Sequence, residues 1–565
     1  MGLDSERSIL HRNSNMTVQR ALKLLGMLVF ASWISAIWIC FTTFGTTSLT
    51  SAARYLTGHP LQVTNFRDDN SILKEHPIKE LVHKAETEFE EQLARQSKTY
   101  EAATSEYRSR YHRDPPPGFE MWYNLAVRHE SLIIDDFDII NETLSPFWSL
   151  SGADVMRRVN DVLKDDWAIQ HCAIIGGQLT GTCDHLGENL LHWLTDADHS
   201  PDLPAVDLLV NVLDEPRVLY GGPGEQVDQL EWTDNSQSPV WEKVTAGCAF
   251  KLDSEGKRAT TADRETQTAV LSFSDGKTNA LDLCEHPEYS RMHGLWDAPS
   301  NLKTTGFAVP VLSPAVPSTM GDIPVPAAAY SSSMYTFDEI EDIAWDSKIP
   351  GLYWAGKTTG SIQSVTSDWR QHHRQRFVKL ANEISRQPHL YLENLDHGTS
   401  WQQHNSIAMD VPLYTVYLTE IVQCADETTN EAISSEYEIH EPDKRAESFK
   451  YTLNFDLDGN GHSGRFYRLL NSRSLPLKQT VFREWHDERL QPWLHYVPIS
   501  LGMEELPEVV RYLSVEREGQ QLAELLAAKG REWSLRALRP VDQAIYLYRL
   551  MLELARLQDP DRLPS

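Results

Sequence analysis

Tyr451 to Phe455 has the aromatic, β-branched and apolar make-up of a buried strand. Asp456 to Gly464 follows as a tight loop with glycines at 459, 461 and 464, Arg465 to Leu470 reads as a helix, and Leu475 to Lys478 as the next strand. A buried strand that passes through a glycine loop into a helix is the unit from which parallel sheets are built, and little else accommodates it. Gly351 to Ala355, the loop Gly356-Lys357-Thr358-Thr359-Gly360-Ser361 and a helix from Ser367 to about Ser385 repeat the pattern. Nearer the start, Val206 to Leu213 is an almost continuous apolar run broken by Asp214-Glu215-Pro216, as a buried parallel strand would be. A proline-rich stretch, Pro299 to Pro326, separates the two regions. The pattern predicts an α/β architecture with two domains facing a cleft and ligands at the carboxyl ends of the strands.

The remaining segments have other signatures. Leu24 to Phe44 carries no charge and as a helix spans about 31 Å, the thickness of a bilayer core. Arg7, Arg12, Arg20 and Lys23 precede it, so the reading is a single-pass type II anchor with residues 1–23 cytosolic and the bulk lumenal. Residues 45–75 mix polar and small side chains without a period, as a stem does, and a helix is predicted from His76 to about Arg110. Helical periodicity returns from Glu504 to Leu557. The expected domains are therefore 76–330 on the acceptor side, 331–503 around the bound nucleotide, and a helical segment 504–565. Of the six cysteines, Cys40 lies in the expected span, and the other five (Cys172, Cys183, Cys248, Cys284 and Cys424) cannot all pair within one chain.

Charge narrows the function. With 52 basic against 81 acidic residues and a net charge of −29, the surface repels a nucleic-acid backbone. A hydrophobic fraction of 41% and a charged fraction of 24% exclude a wholly disordered chain and a multi-span membrane protein. A phosphate-bearing ligand would need a local island of cations. Two candidates stand out. In Gly459-Asn460-Gly461-His462-Ser463-Gly464-Arg465 the glycines let backbone N–H groups approach an anion, and Arg465 can clasp a phosphate. The run Asp368-Trp369-Arg370-Gln371-His372-His373-Arg374-Gln375-Arg376-Phe377 is either a solvated helix face or a phosphate island beside the Gly356–Gly360 loop. Asp456, Asp458, Asn460 and Gly461 open like a calcium loop, but Tyr467 occupies the twelfth position, where an acid is required. The Asp-x-Asp pairs at 136/138, 196/198 and 456/458 are about what an Asp-rich chain supplies by chance. Asp214, ending a strand, is either a helix cap or a general base in the cleft.

Several ordered blocks add a resemblance. They are Pro115 to Tyr123, Ile133 to Asp138, Pro146-Phe147-Trp148, Asn211 to Arg217, Cys284-Glu285-His286-Pro287 with Met292-His293-Gly294, and Tyr353-Trp354-Ala355-Gly356. They continue through Arg374-Gln375-Arg376-Phe377, Asp458 to Phe466, Leu469 to Ser472, Glu484-Trp485 and Pro492 to Pro498. In these the chain resembles the capsule-associated glycosyltransferases (glycosyltransferase family 90), which include fungal xylosyltransferases and Rumi-like protein O-glucosyltransferases. The resemblance implies a GT-B fold of two Rossmann-like domains, here behind one transmembrane helix. It also implies inverting transfer of xylose or glucose from a UDP-sugar to a glycan or glycoprotein hydroxyl.

By the same resemblance Asp214 is the base, and Arg374 with 459–465, including Ser463 and Arg465, forms the diphosphate cradle. Trp354-Ala355-Gly356-Lys357 stands where many relatives carry Trp-Arg-Gly-Ser, so Ala355 and Lys357 depart from the motif, with Gly356 and Lys357 expected at the nucleotide. Glu484 is expected on the ribose hydroxyls. Two guanidinium groups can replace a divalent ion, so no metal site and no obligatory cofactor is expected. The expected partners are the UDP-sugar, the acceptor and the membrane, with no nucleic acid, and the expected address is the Golgi membrane. The alternative is an inactive lectin-like or scaffold protein of the same fold.

Overall fold

In a computed structural model the described residues are 72–164, 168–187, 192–194, 203–220, 227–248, 271–276, 281–332, 335–395, 400–407 and 412–564. The chain divides into two units, Met1–Arg67 and Asp68–Ser565, and every described residue belongs to the second. The expected anchor at 24–44, with Cys40, lies outside the described residues. Among the described residues no helix is long and apolar enough to cross a membrane.

The sheet of the second half follows from its sequence. Strands Tyr414–Glu420, Ile349–Lys357, Tyr451–Leu457, Leu475–Gln479 and Val497–Pro498 are neighbours in that order, and every pairing is parallel. Tyr451–Leu457 and Leu475–Gln479 are buried along almost their whole length, which is why both read as unbroken apolar runs rather than alternating ones. The sheet of the first half is different. Its order is Gln178–Gly181, Ile169–Ile175, Val206–Asn211, Val311–Ser313, Ile323–Pro324. Ile169–Ile175 runs antiparallel to both of its neighbours, and only the last three strands are mutually parallel. A Cys172–Cys183 disulfide ties the antiparallel hairpin, a second links Cys248 to Cys284, and Cys424 is free.

A three-stranded antiparallel sheet (Ile72–Leu73, Trp401–Ile407, Pro388–Asn394) and a two-stranded one (Thr233–Asp234, Lys303–Thr304) complete the set. The expected pair of Rossmann-like domains behind a transmembrane helix is thus corrected to a mixed α/β fold with four sheets among the described residues. The antiparallel hairpin was missed because Val206–Asn211 is buried on both faces whichever way its neighbours run.

The helices at the ends of the described chain pack on the opposite halves. Pro77–Arg95 begins at a proline, with His76 Nδ1 accepting the Ile78 N–H. Its apolar stripe, Ile78, Val82 and Ala85, enters a core with Trp354, Leu453 and Val509 of the second half. His76 fixes the docking: its Nε2 lies 2.9 Å from Glu508 Oε1, and its ring stacks on Tyr512 at 3.6 Å. Conversely, Pro540–Gln558 is buried almost all round and joins Val206, Leu208 and Leu312 in the core of the first half.

The predicted single helix from 76 to 110 breaks into Pro77–Arg95 and Tyr100–Tyr111. Between them Gln96 turns inward, donating to Asp136 at 2.6 Å and accepting from the Ile134 and Asp135 N–H groups. Thr99 then caps the second helix through the Ala102 N–H. The tail expected as one periodic stretch is three helices, Leu506–Val515, Arg517–Ala537 and Pro540–Gln558.

The last helix is pinned by Trp122, which is fully buried and donates its indole N–H to the Ile545 carbonyl at 3.0 Å. Trp122→Ala is expected to destabilise the protein by about 3–5 kcal/mol through the cavity it leaves. Trp122→Phe is expected to cost clearly less. Denaturant unfolding of the three proteins checks this, and equal loss for both variants would show that packing volume is not the cause.

Candidate functional site

The loop between Leu457 and Phe466 is rooted from below. Lys478 Nζ, on the neighbouring strand, lies 3.2 Å from Asp456 Oδ2 and 3.3 Å from Glu484 Oε1. Ser463 donates its hydroxyl to Asp456 Oδ1 at 2.5 Å, and Tyr330 donates to Glu484 Oε2. Burial disfavours the Lys478 cation, but the two carboxylates outweigh it and hold the amine protonated far above its ordinary range. Burial also works against the Glu484 carboxylate, and the charges of His486 and Lys478 leave its pKa lowered.

The sides of the loop are tied as well. Asp458 accepts the Val481 N–H on its carboxylate at 2.8 Å, while its carbonyl accepts from His373 Nε2 at 2.9 Å and Arg374 Nε at 2.8 Å. Asn460 Oδ1 takes three donors, Ser300 Oγ, the Gly360 N–H and Gln423 Nε2, each at 3.0 Å. Gly461 rests directly on the turn that carries Asp214: a Cβ there would lie 2.3 Å from the Asp214 carbonyl oxygen. Gly464 sits against the Tyr335 ring, where a Cβ would meet ring carbons at 2.7–3.0 Å.

The Asp214 turn is built by its neighbours. Asn211 donates to the Glu215 carbonyl at 2.8 Å, and its Oδ1 accepts the Leu213 N–H at 3.0 Å. Glu215 is buried, accepts the Asn301 N–H at 3.0 Å, and has its pKa raised by that burial. Asp214 beside it is exposed. The two adjacent acids are thus divided, one holding the turn from inside and the other facing outward.

A cavity of about 400 Å³ opens at the carboxyl ends of strands Ile349–Lys357 and Tyr451–Leu457. Gly356, Lys357, Arg374, Gly459, His462, Ser463, Gly464 and Arg465 line it, as do Lys444, Arg445, Arg468, Tyr335 and Tyr353. Asp443, the acid among the described lining residues, is occupied by the hydroxyls of Tyr353, at 2.7 Å, and Tyr417. Arg374 donates to the carbonyls of Asp458, Lys357 and Leu457 at 2.8, 2.9 and 3.4 Å. Burial and then the Arg465 charge lower its pKa to about 9, so it stays protonated at neutral pH. Arg465 donates Nη1 to the Ala355 carbonyl at 3.1 Å. Arg468 feels burial, Arg465 and Arg445, which lower it to about 10, and its buried Nε has no protein partner. Packing like charges this closely costs free energy that a bound anion recovers.

Several expected site residues do other work. Arg374 spends its nitrogens on backbone carbonyls, so it shapes the loop and adds charge rather than presenting an open fork. The half-exposed Lys357 pairs with Glu420. The Ser463 hydroxyl is committed to Asp456, and Asn460 is a tie between loops. Glu484, expected on the ribose, lies in the buried cluster with Lys478 and Tyr330 and is not among the described residues lining the cavity. Lys444, Arg445 and Arg468 were not anticipated. For Arg468 the signal was present, since three residues after Arg465 it shares a helix face.

The helix run proves to be more than a solvated face: His372, His373 and Arg374 are buried, and His373 lies flat on His293 at 3.8 Å. The Asp-x-Asp pair at 136/138 is structural. Asp136 is bound by Gln92, Arg95, Gln96 and Arg110, and Asp138 by Arg110 and Tyr111. Among the described residues no group of three or more His, Cys, Asp or Glu is placed to hold a metal. A second cavity, of about 630 Å³, is larger; in its lining Glu88, Glu91, Asp136, Asp138, Glu142, Asp487 and Glu488 outnumber Arg95, Lys478 and Arg483, which makes it less suited to an anion.

Residues 328–562, which include every cation lining the smaller cavity, match the family described as Glycosyl transferase family 90. Over 111 residues the chain is 32% identical to Protein O-glucosyltransferase 3 of Rattus norvegicus, covering 20% of this chain and 21% of that one. Over 114 residues it is 34% identical to O-glucosyltransferase rumi homolog of Aedes aegypti, covering 19% of this chain and 27% of that one. The chain thus spans roughly a fifth to a quarter of the length of these curated relatives.

Gly461→Ala is expected to push the loop off the Asp214 turn. It should weaken pyrophosphate binding at least about tenfold, roughly 1.4 kcal/mol, while leaving the melting temperature nearly unchanged. Titration calorimetry with pyrophosphate checks this; unaltered affinity would mean that the contact does not set the loop.

Proposed function

We propose, from the match of residues 328–562 to glycosyl transferase family 90, that this protein transfers a sugar from a nucleoside-diphosphate sugar to a hydroxyl of a protein or glycan, inverting the anomeric carbon. The observation that carries the reading is the cation-lined cavity in a chain of net charge −29, with an exposed aspartate on the turn its loop touches. A solvated basic surface would be scattered; here the cations converge on one concave site at the ends of parallel strands.

In this reading Asp214 accepts the proton of the acceptor hydroxyl while that oxygen forms its bond to the anomeric carbon. The bond from that carbon to the β-phosphate oxygen breaks, and the nucleoside diphosphate leaves with the electron pair. Arg465 and Arg468, with the loop N–H groups and the fixed charge of Arg374, stabilise the negative charge that develops on the leaving phosphate. The donor is UDP-glucose, a choice supported by the printed names of the relatives, which are O-glucosyltransferases. UDP-xylose is the competitor to be tested. Two disulfides, Cys172–Cys183 and Cys248–Cys284, support an oxidising compartment of the secretory pathway as the place of work.

Asp214→Asn is expected to retain UDP binding and lose about 10²–10⁴-fold in transfer, the usual contribution of a positioned base. UDP release from UDP-glucose with a glycoprotein acceptor measures it, and normal turnover by the variant would remove Asp214 from the mechanism. Arg465→Ala is expected to weaken UDP itself by about 1.5–3 kcal/mol, the worth of hydrogen bonds to a charged group. Calorimetric titration with UDP reads this directly, and an unchanged Kd would place the diphosphate elsewhere.

A further inference from the structure

His462 lies between two tied positions of the glycine loop. The residue before it, Gly461, packs against the Asp214 carbonyl, and the residue after it, Ser463, is bound to Asp456. His462 itself lines the cavity together with Arg465. No described residue hydrogen-bonds its ring nitrogens, and Nδ1 is buried, so Nε2 is the nitrogen left for a ligand in the cavity that His462 lines. The ring is held by an edge contact with Tyr330 at 5.7 Å, and Tyr330 is itself fixed by Glu484. Burial lowers the imidazole pKa, against the opposing pull of Glu484 and Asp214, so the ring is neutral at pH 7. A neutral, oriented imidazole with a free nitrogen is suited to a hydroxyl rather than to a phosphate, which the surrounding guanidinium groups serve.

In an in-line displacement the transferred sugar lies between the base and the leaving diphosphate. His462 is where those two parts of the site meet in the chain. Resting on the function proposed above, we propose that His462 reads the transferred sugar, its Nε2 hydrogen-bonded to a hydroxyl of the donor's pyranose ring. The residue thereby separates recognition of the sugar from recognition of the nucleotide.

The test compares UDP with UDP-glucose and UDP-xylose on the full chain, for wild type, His462→Ala and His462→Gln, by titration calorimetry and by kcat and KM. In His462→Ala the Kd for at least one UDP-sugar is expected to rise about five- to tenfold, the loss of one hydrogen bond, while the Kd for UDP stays within about twofold. His462→Gln, which keeps a donor and an acceptor, is expected to recover most of the sugar-dependent loss. Equal weakening of UDP and UDP-sugar would assign His462 to the diphosphate cradle and overturn the proposal, as would unchanged affinity for both sugars. Failure of the wild type to bind UDP at all would instead overturn the proposed function on which the inference rests.

Discussion

The buried charge group at Lys478 is the constraint on which the site depends. One ammonium is held between Asp456 and Glu484 with all three side chains out of solvent. Such groups contribute little net stability compared with apolar packing, but removing one partner leaves an uncompensated buried charge and typically costs about 3–5 kcal/mol. Their value is specificity of arrangement. Asp456 satisfies its second oxygen with Ser463, and that bond fixes where the loop turns back toward the helix Phe466–Leu470. With Ser463 anchored, Gly461 is carried onto the Asp214 turn and Arg465 over the Ala355 carbonyl. The conformation of the loop is therefore set by charge beneath it rather than by the glycines, which only permit it.

The cavity above that foundation has the opposite electrostatic character from the protein around it. Arg374 and Arg465 donate to carbonyls, which accept hydrogen bonds without cancelling charge. Arg374 shows this most clearly: three carbonyls orient it, and no carboxylate neutralises it. The positive field is thus preserved for a ligand. The larger cavity, in whose lining acids outnumber cations, includes Lys478 of the buried cluster.

The two halves of the described structure are held together by an exchange of end helices. Pro77–Arg95 completes the core of the later sheet, and Pro540–Gln558 that of the earlier one. Asn460 adds a tie at the loop itself, receiving Ser300 from one half and Gln423 from the other. The register between Asp214 and the cationic loop consequently rests on contacts far apart in the chain.

The sequence by itself determined the parallel strands, the glycine loop and its arginine, because burial on both faces and the steric demands of a turn are local and leave a mark on composition. It also exposed an odd cysteine, and Cys424 is the thiol left over. The tertiary structure alone decided which polar groups are spent. Nothing near Ser463 announces that its hydroxyl belongs to Asp456, nothing near Glu484 that it lies with Lys478, and nothing near Gln96 that it would break a helix to reach Asp136. It also decided the antiparallel hairpin and the convergence of Lys444, Arg445 and Arg468 on the cavity. Hydrogen bonds and charge pairs between distant segments have no period in the sequence, so only the folded chain can assign them.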